Sequence, residues 1–323
     1  MKIIHTADIH LNSALNTRFN TKLAKQINDN VFISLEKTIS FAKENFVEII
    51  IIAGDLFDSD NVAFLEQEKF ISIIKQNPSI NFIYVNGNHD NLLSASTIKA
   101  ENFIILQNGQ TLKIKDVCFS TLPCSTLPQD SFNIVIAHGD ITSDINLPSL
   151  RSKNIDYLAL GHIHQNKLEK LDERGVYSYS GSLASRGFDE CGLKGFYLID
   201  TQVKSYTFKV VNALIFEKID IDISTLNDID FYTTLTNALP PINHNLALKV
   251  RLYGENKGLN IDLGYLIQKY SPNYLYIDFV DETTFLQTDF NLFITEFLKV
   301  VNSQNYTQEE KNKIINLGIK TLK

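Results

Sequence analysis

Long apolar runs are missing from this chain of 323 residues. A membrane helix needs roughly 20 consecutive apolar residues, and the longest run here, "VEIIIIA", has the length of a buried strand. A membrane-spanning protein is therefore not expected. A secretory leader is not expected either, because "MKIIHTADIH" enters a strand pattern at once, without charged, apolar and small-residue regions in order. That predicts a cytoplasmic protein. Cysteine is scarce, with Cys118, Cys124 and Cys191 an odd number without metal-type pair spacing, so buried reduced thiols are expected rather than disulfides. A basic excess is also lacking, since 30 Lys and Arg against 37 Asp and Glu leave a net charge of -7. This argues against a general nucleic-acid binder with a basic face. It says nothing about a metal site, where bound cations dominate the local field. Internal repeats and low-complexity linkers are absent, although Asn, Ile and Lys are abundant throughout.

What is present is a chain 44% hydrophobic and long enough for more than one core. Residues 1–212 alternate short apolar runs with polar or helical segments. "KIIHTAD" reads as a strand, and roughly 20–45 as an amphipathic helix with Leu23, Ile27, Val31, Leu35 and Ile39 on one stripe. "VEIIIIA" is a second strand, about 62–76 a second helix, and "NFIYV" a third strand. This order implies parallel pairing with right-handed crossovers. "VCFSTL", "NIVIAH", "DYLALGH", "GVYSYSG" and "GFYLID" follow as the second half of a layered α/β domain. Residues 213–286 read as a small α+β domain, and 287–323 as a tail of two helices. Thr307 and Glu310 stand at capping-box spacing before the last of these.

Five apolar runs end in residues that ligate metals: "KIIHTADIH", "EIIIIAGD", "NFIYVNGNHD", "NIVIAHGD" and "YLALGHIH". The C-terminal ends of parallel strands in an open sheet share one edge, where ligand sites form. This predicts that Asp8, His10, Asp55, Asn88, His89, His138, His162 and His164 gather there. Taken singly, each motif reads equally well as a loop cap or a turn. Gathered at one edge, unneutralised carboxylates and imidazoles are costly without cations, so the cluster is expected to bind metal. Carboxylate, imidazole and amide donors without thiolate favour manganese, with iron or zinc as alternatives. Two divalent ions sharing a carboxylate suit this set better than one tetrahedral ion. They would also leave positive charge to attract a phosphate. His5 and His244 are expected to lie outside the ligand set, and Gly87 to permit a tight turn after "NFIYV".

The motifs "DIH", "GDLFD", "GNHD", "HGD" and "GHIH" resemble the metallophosphoesterase, or calcineurin-like phosphoesterase, superfamily over about residues 1–200. The resemblance implies a layered αββα sandwich with a small α+β capping domain and a C-terminal helical tail. By its roles Asp8, His10 and His164 would hold one ion, Asn88, His138 and His162 the other, and Asp55 would bridge them. Spacing alone leaves the two histidines of "GHIH" unassigned, because residues i and i+2 on an extended segment face the same side.

A narrower resemblance, carried by "HTADIHLNSAL" and "YSGSLASRGFDECGLKGFYLID", is to SbcD-type DNA repair exonucleases. It implies a nuclease of double-strand-break repair that acts on DNA with an SbcC-type coiled-coil ATPase docked on the tail, and a homodimer. Asp58, where some relatives carry histidine, would either orient a ligand from behind or be a simple loop residue. Arg186 would either contact substrate phosphate through its fork or pin its loop to an acidic neighbour. For the chemistry, a metal-activated water would attack phosphorus. His89 would protonate the leaving 3′ oxygen, with Asp90 orienting the imidazole. The alternative is a phosphodiesterase or phosphatase acting on a small molecule such as a cyclic nucleotide.

Overall fold

The computed structural model describes residues 1–15, 18–58, 64–88, 98–285 and 287–321. They form two compact units, Met1–Glu217 and Lys218–Lys323. In the first, β1 (Lys2–Thr6), α1 (Thr21–Glu44), β2 (Ile49–Ala53), α2 (Phe64–Lys75), β3 (Asn81–Val85) and β4 (Phe103–Ile105) come first. Then follow β5 (Thr111–Ile114), β6 (Val117–Thr121), β7 (Phe132–His138), β8 (Tyr157–Gly161), β9 (Lys167–Lys170), β10 (Val176–Tyr179), β11 (Gly195–Asp200) and β12 (Ser205–Val210). One six-stranded sheet runs β12-β11-β1-β2-β3-β4 and another β5-β6-β7-β8-β10-β9. Neighbours from β1 to β4 are parallel, as are β6, β7, β8 and β10 in the order of their sheet.

Side-chain alternation explains the layering. In β2, Ile49, Ile51 and Ala53 pack with Ile83, Phe119, Ile134, Ile136 and Tyr157 in a core shared by both sheets. Ile50 and Ile52 point the other way, onto Val31, Leu35 and Ile39 of α1 and Phe70 and Ile74 of α2. A strand covered on both faces loses its polar alternation, which is why "IIII" is unbroken. All four isoleucines are fully buried, each worth about 1.5–3 kcal/mol relative to exposure. The outer face of the second sheet, with Val135, Leu158, Leu160 and Tyr179, is covered by Leu127, Ile145 and Leu150 from connecting segments. The fold is a layered α/β sandwich.

One expectation is corrected. The five motif-bearing strands do not share the edge of one sheet: β1, β2 and β3 belong to the first and β7 and β8 to the second. Stacking the sheets through their common core is what brings the two sets of strand ends together.

The second unit holds β13 (Ile215–Asp222), which begins just before its boundary, then α3 (Asp228–Ala238), β14 (Asn243–Asn256), α4 (Leu263–Tyr270), β15 (Tyr274–Phe285), α5 (Gln287–Ser303) and α6 (Gln308–Thr321). A three-stranded sheet runs β13-β14-β15, with β14 and β15 parallel. The Asn227 side chain caps α3 by accepting from Ile229 and Asp230 N–H. At α6, Thr307 N–H donates to Glu310 at 2.8 Å and Glu310 N–H to the Thr307 hydroxyl at 3.4 Å, a reciprocal capping box. Among the described residues no helix is long and apolar enough to cross a membrane. Cys118, Cys124 and Cys191 are free thiols, the first two buried as expected and Cys191 only partly so.

Candidate metal centre

The segments after β1 and β2 run side by side. Asp8, His10 and Leu11 N–H donate to Gly54, Asp55 and Leu56 carbonyls at 3.2, 3.0 and 2.9 Å. Asp8, His10 and Asp55 each adopt φ near +49°, and His162 adopts +100°. Left-handed backbone is uncommon outside glycine, with Asn, Asp and His the residues that tolerate it best, and costs about 1–3 kcal/mol per residue. Four ligand candidates share that strain at adjoining strand ends. The expectation for Gly87 is a tight turn, and its φ is not left-handed. What it supplies is room, because a Cβ there would overlap the Asp55 carboxylate.

Asp8, His10 and Asp55 are nearly fully buried. The donor atoms of Asp8, His10 and His164 lie within 4.8 Å of one another, as do those of Asp8, Asp55 and His138. Asp55 Oδ2 stands 3.7 Å from His10 Nε2 and 3.4 Å from His138 Nε2, between the two sets. Asn88 Oδ1 is 2.8 Å from His138 Nε2. The ring of His162 meets that of His138 edge-on at 5.4 Å, and its backbone N–H donates to Asp8 at 2.9 Å.

Three of the imidazoles are held alike. His138 Nδ1 lies 2.9 Å from the Ala53 carbonyl, His10 Nδ1 3.1 Å from Asp58 Oδ1, and His164 Nδ1 2.8 Å from Glu190 Oε1. An acceptor at Nδ1 places the proton there and leaves the Nε2 lone pair free for a cation. All three Nε2 atoms face the centre: those of His10 and His164 are 3.2 Å apart, and that of His138 faces Asp55. This donor set fits divalent metal.

Electrostatics agree. Burial raises the Asp8 carboxyl to about 6, although His138 and His164 oppose it. Burial alone would lower His138, but its contacts with Asp55 and Asp8 outweigh that and raise it to about 9. Burial lowers His10, against the pull of Asp58. For His164 burial works downward and is outweighed by Glu190, so its pKa is raised. The carboxylates of Asp55, Asp8 and Glu190 thus favour positive charge at His138 and His164.

Asp58 pairs with His10 and accepts from Arg186, and Arg186 also reaches Glu190. Of the two contacts left open for Arg186, these carboxylates supply the second. His89 and Asp90 lie outside the described residues. His5 belongs to neither donor cluster and is fully buried, with Nδ1 2.9 Å from the Tyr157 hydroxyl. His244 is exposed. Sequence reasoning gave no role to Glu190 or Lys194, although both lie in the quoted segment after "GHIH". Lys194 Nζ donates to the His164 carbonyl at 2.6 Å. No local pattern marks them, because each acts on a residue more than 20 positions away.

The chain is 25% identical over 264 residues to Uncharacterized metallophosphoesterase YhaO of Bacillus subtilis (strain 168), over 69% of this chain. It spans 64% of that relative's length. The crystal structure of Pseudomonas putida nuclease MPE aligns over 62% of this chain and 85% of its own, at 13% identity and a TM-score of 0.31. Residues 1–166 of the 323 match the calcineurin-like phosphoesterases, and this chain belongs to that family.

Proposed function

We propose that the protein is a DNA nuclease that hydrolyses phosphodiesters with two divalent metal ions, most favourably manganese. The observation that carries the reading is the shared set of the imidazoles: three Nδ1 atoms engaged on acceptors and three Nε2 atoms turned toward Asp8 and Asp55. Asp8, His10 and His164 would hold one ion, Asn88, His138 and His162 the other, and Asp55 would serve both. When bound, the ions supply Lewis acidity to the phosphoryl oxygens and bring the pKa of a water toward neutrality. The chain's own groups place the donors and exclude solvent from the buried carboxylates. His89 holds the proton for the leaving oxygen, with Asp90 orienting it.

DNA is favoured as substrate by the Gly181–Gly195 segment, whose Glu190 and Lys194 both hold His164. The part that distinguishes SbcD-type nucleases in sequence therefore bears on a ligand. On the same reading the protein works in the cytoplasm in double-strand-break repair, as a homodimer, with an SbcC-type ATPase on the tail helices. A manganese-dependent assay comparing blunt, overhanging and single-stranded DNA with a small phosphodiester, with and without the ATPase, tests this. DNA cleavage is expected. Hydrolysis of the small ester alone, even with the partner present, would replace the reading with a small-molecule phosphodiesterase.

A further inference from the structure

Arg186 holds two carboxylates at once. Its Nη1 donates to Asp58 Oδ1 at 2.6 Å and to the Ser13 hydroxyl at 2.9 Å, and its Nη2 to Glu190 Oε1 at 2.6 Å. The acceptor atoms are the ones that hold the histidines. Asp58 Oδ1 is 3.1 Å from His10 Nδ1, and Glu190 Oε1 is 2.8 Å from His164 Nδ1. Ser13 adds a second hold on the same residue, its hydroxyl donating to the His10 carbonyl at 3.0 Å. Glu190 is itself fixed, since its Oε2 accepts from the Arg186 backbone N–H at 3.0 Å. The Arg186 side chain is only 13% exposed, so its fork is spent inward.

We propose that Arg186 is a positioning residue that orients His10 and His164 together, through Asp58 and Glu190, and so builds one of the two metal sites rather than gripping substrate phosphate. A planar fork with fixed donor directions is suited to bridge two carboxylates on separate loops, and an ammonium on a flexible stem is not. Asp58 Oδ1 and Glu190 Oε1 then each face the guanidinium on one side and an imidazole Nδ1 on the other, which favours the tautomer protonated at Nδ1. Outer partners of ligating histidines typically change metal affinity ten- to a hundredfold. The other proposed ion, on Asn88, His138 and His162, is outside this clamp: His138 is set by the Ala53 carbonyl.

The inference rests on the two-metal reading, and its test is manganese binding by the full chain, followed by calorimetry and by the Mn(II) spin-resonance signal. The wild type should bind two ions. Arg186→Met should bind one with wild-type affinity and the other about ten- to a hundredfold more weakly. Arg186→Lys should not restore it, whereas methylguanidinium added to Arg186→Ala should. Glu190→Gln leaves the arginine in place and should weaken the same ion, carrying the test if the arginine variants do not fold. KM for DNA should stay near wild type at saturating manganese. A wild type that binds no pair of ions overturns the two-metal reading and this inference with it. Two ions bound by wild type, Arg186→Met and Glu190→Gln with equal affinity overturn this inference alone. Unchanged metal binding with raised KM in Arg186→Met would return the residue to phosphate contact.

Discussion

His10 Nε2 and His164 Nε2 stand 3.2 Å apart, although the two residues are 154 positions apart and follow strands of different sheets. Each Nδ1 is committed to a carboxylate. Two imidazole lone pairs at that separation repel unless a cation or a proton lies between them, so the pair measures how far the fold has been shaped for metal.

Manganese added to chelator-treated protein should therefore raise its melting temperature. Ligand at a hundred times its Kd contributes about 2.7 kcal/mol to the folded state. Scanning fluorimetry or calorimetry over a manganese titration reads the effect, and an unmoved melting temperature would count against the site.

Asp55→Asn should weaken both ions, because Asp55 Oδ2 lies near His10 Nε2 on one side and His138 Nε2 on the other. Hydrolysis is expected to fall at least ~100-fold, a barrier increase of about 2.7 kcal/mol. Metal stoichiometry distinguishes the cause: loss of one ion with the second untouched would show that Asp55 does not serve both.

Gly87→Ala places a methyl group against the Asp55 carboxylate. Overpacking of this kind typically costs about 1–3 kcal/mol, and here the neighbour that must yield is a proposed ligand. Lower melting temperature should come with weaker manganese binding. Wild-type values for both would mean that Asp55 relaxes freely.

His89→Ala should lose turnover while keeping both ions and DNA affinity, since its proposed task is proton donation rather than ligation. Measured nuclease activity close to wild type would end that assignment.

His5 gives a pH dependence unrelated to metal. Burial lowers its pKa from 6.5 to about 3, although a backbone contact at Leu160 opposes the shift. The unfolded chain therefore binds the proton more readily, and folding stability falls as pH drops from 6.5 toward 3. His5→Gln removes that group, so its stability should decline less steeply over the same window in urea titrations. Equal slopes would show that the ring does not stay neutral in the folded protein.

The parts of the fold readable in advance were those with strong local patterns. "IIII" and "NFIYV" are β2 and β3, and the Leu23, Ile27, Val31, Leu35 stripe lies on the buried face of α1. β9, "KLEK", escaped because all four residues are exposed at a sheet edge and carry no apolar alternation. α4 is eight residues long, with a glycine at its second position, too short for a helical period to emerge. Its existence depends on the Asp262 cap and on packing against β15.

By itself the sequence determined which strands end in carboxylates, imidazoles and an amide, because polarity at a strand end is a local property of a few neighbouring residues. It also determined that these donors lack thiolate, which bears on the choice of metal. Tertiary structure alone decided that the ends of two stacked sheets converge, and which nitrogen of each ring faces inward. That second choice is made by the Ala53 carbonyl, Asp58 and Glu190, lying 85, 48 and 26 positions from the histidines they hold. A ring has two nearly equivalent nitrogens, so its ligating atom is chosen by what meets the other one, and only folding supplies that partner.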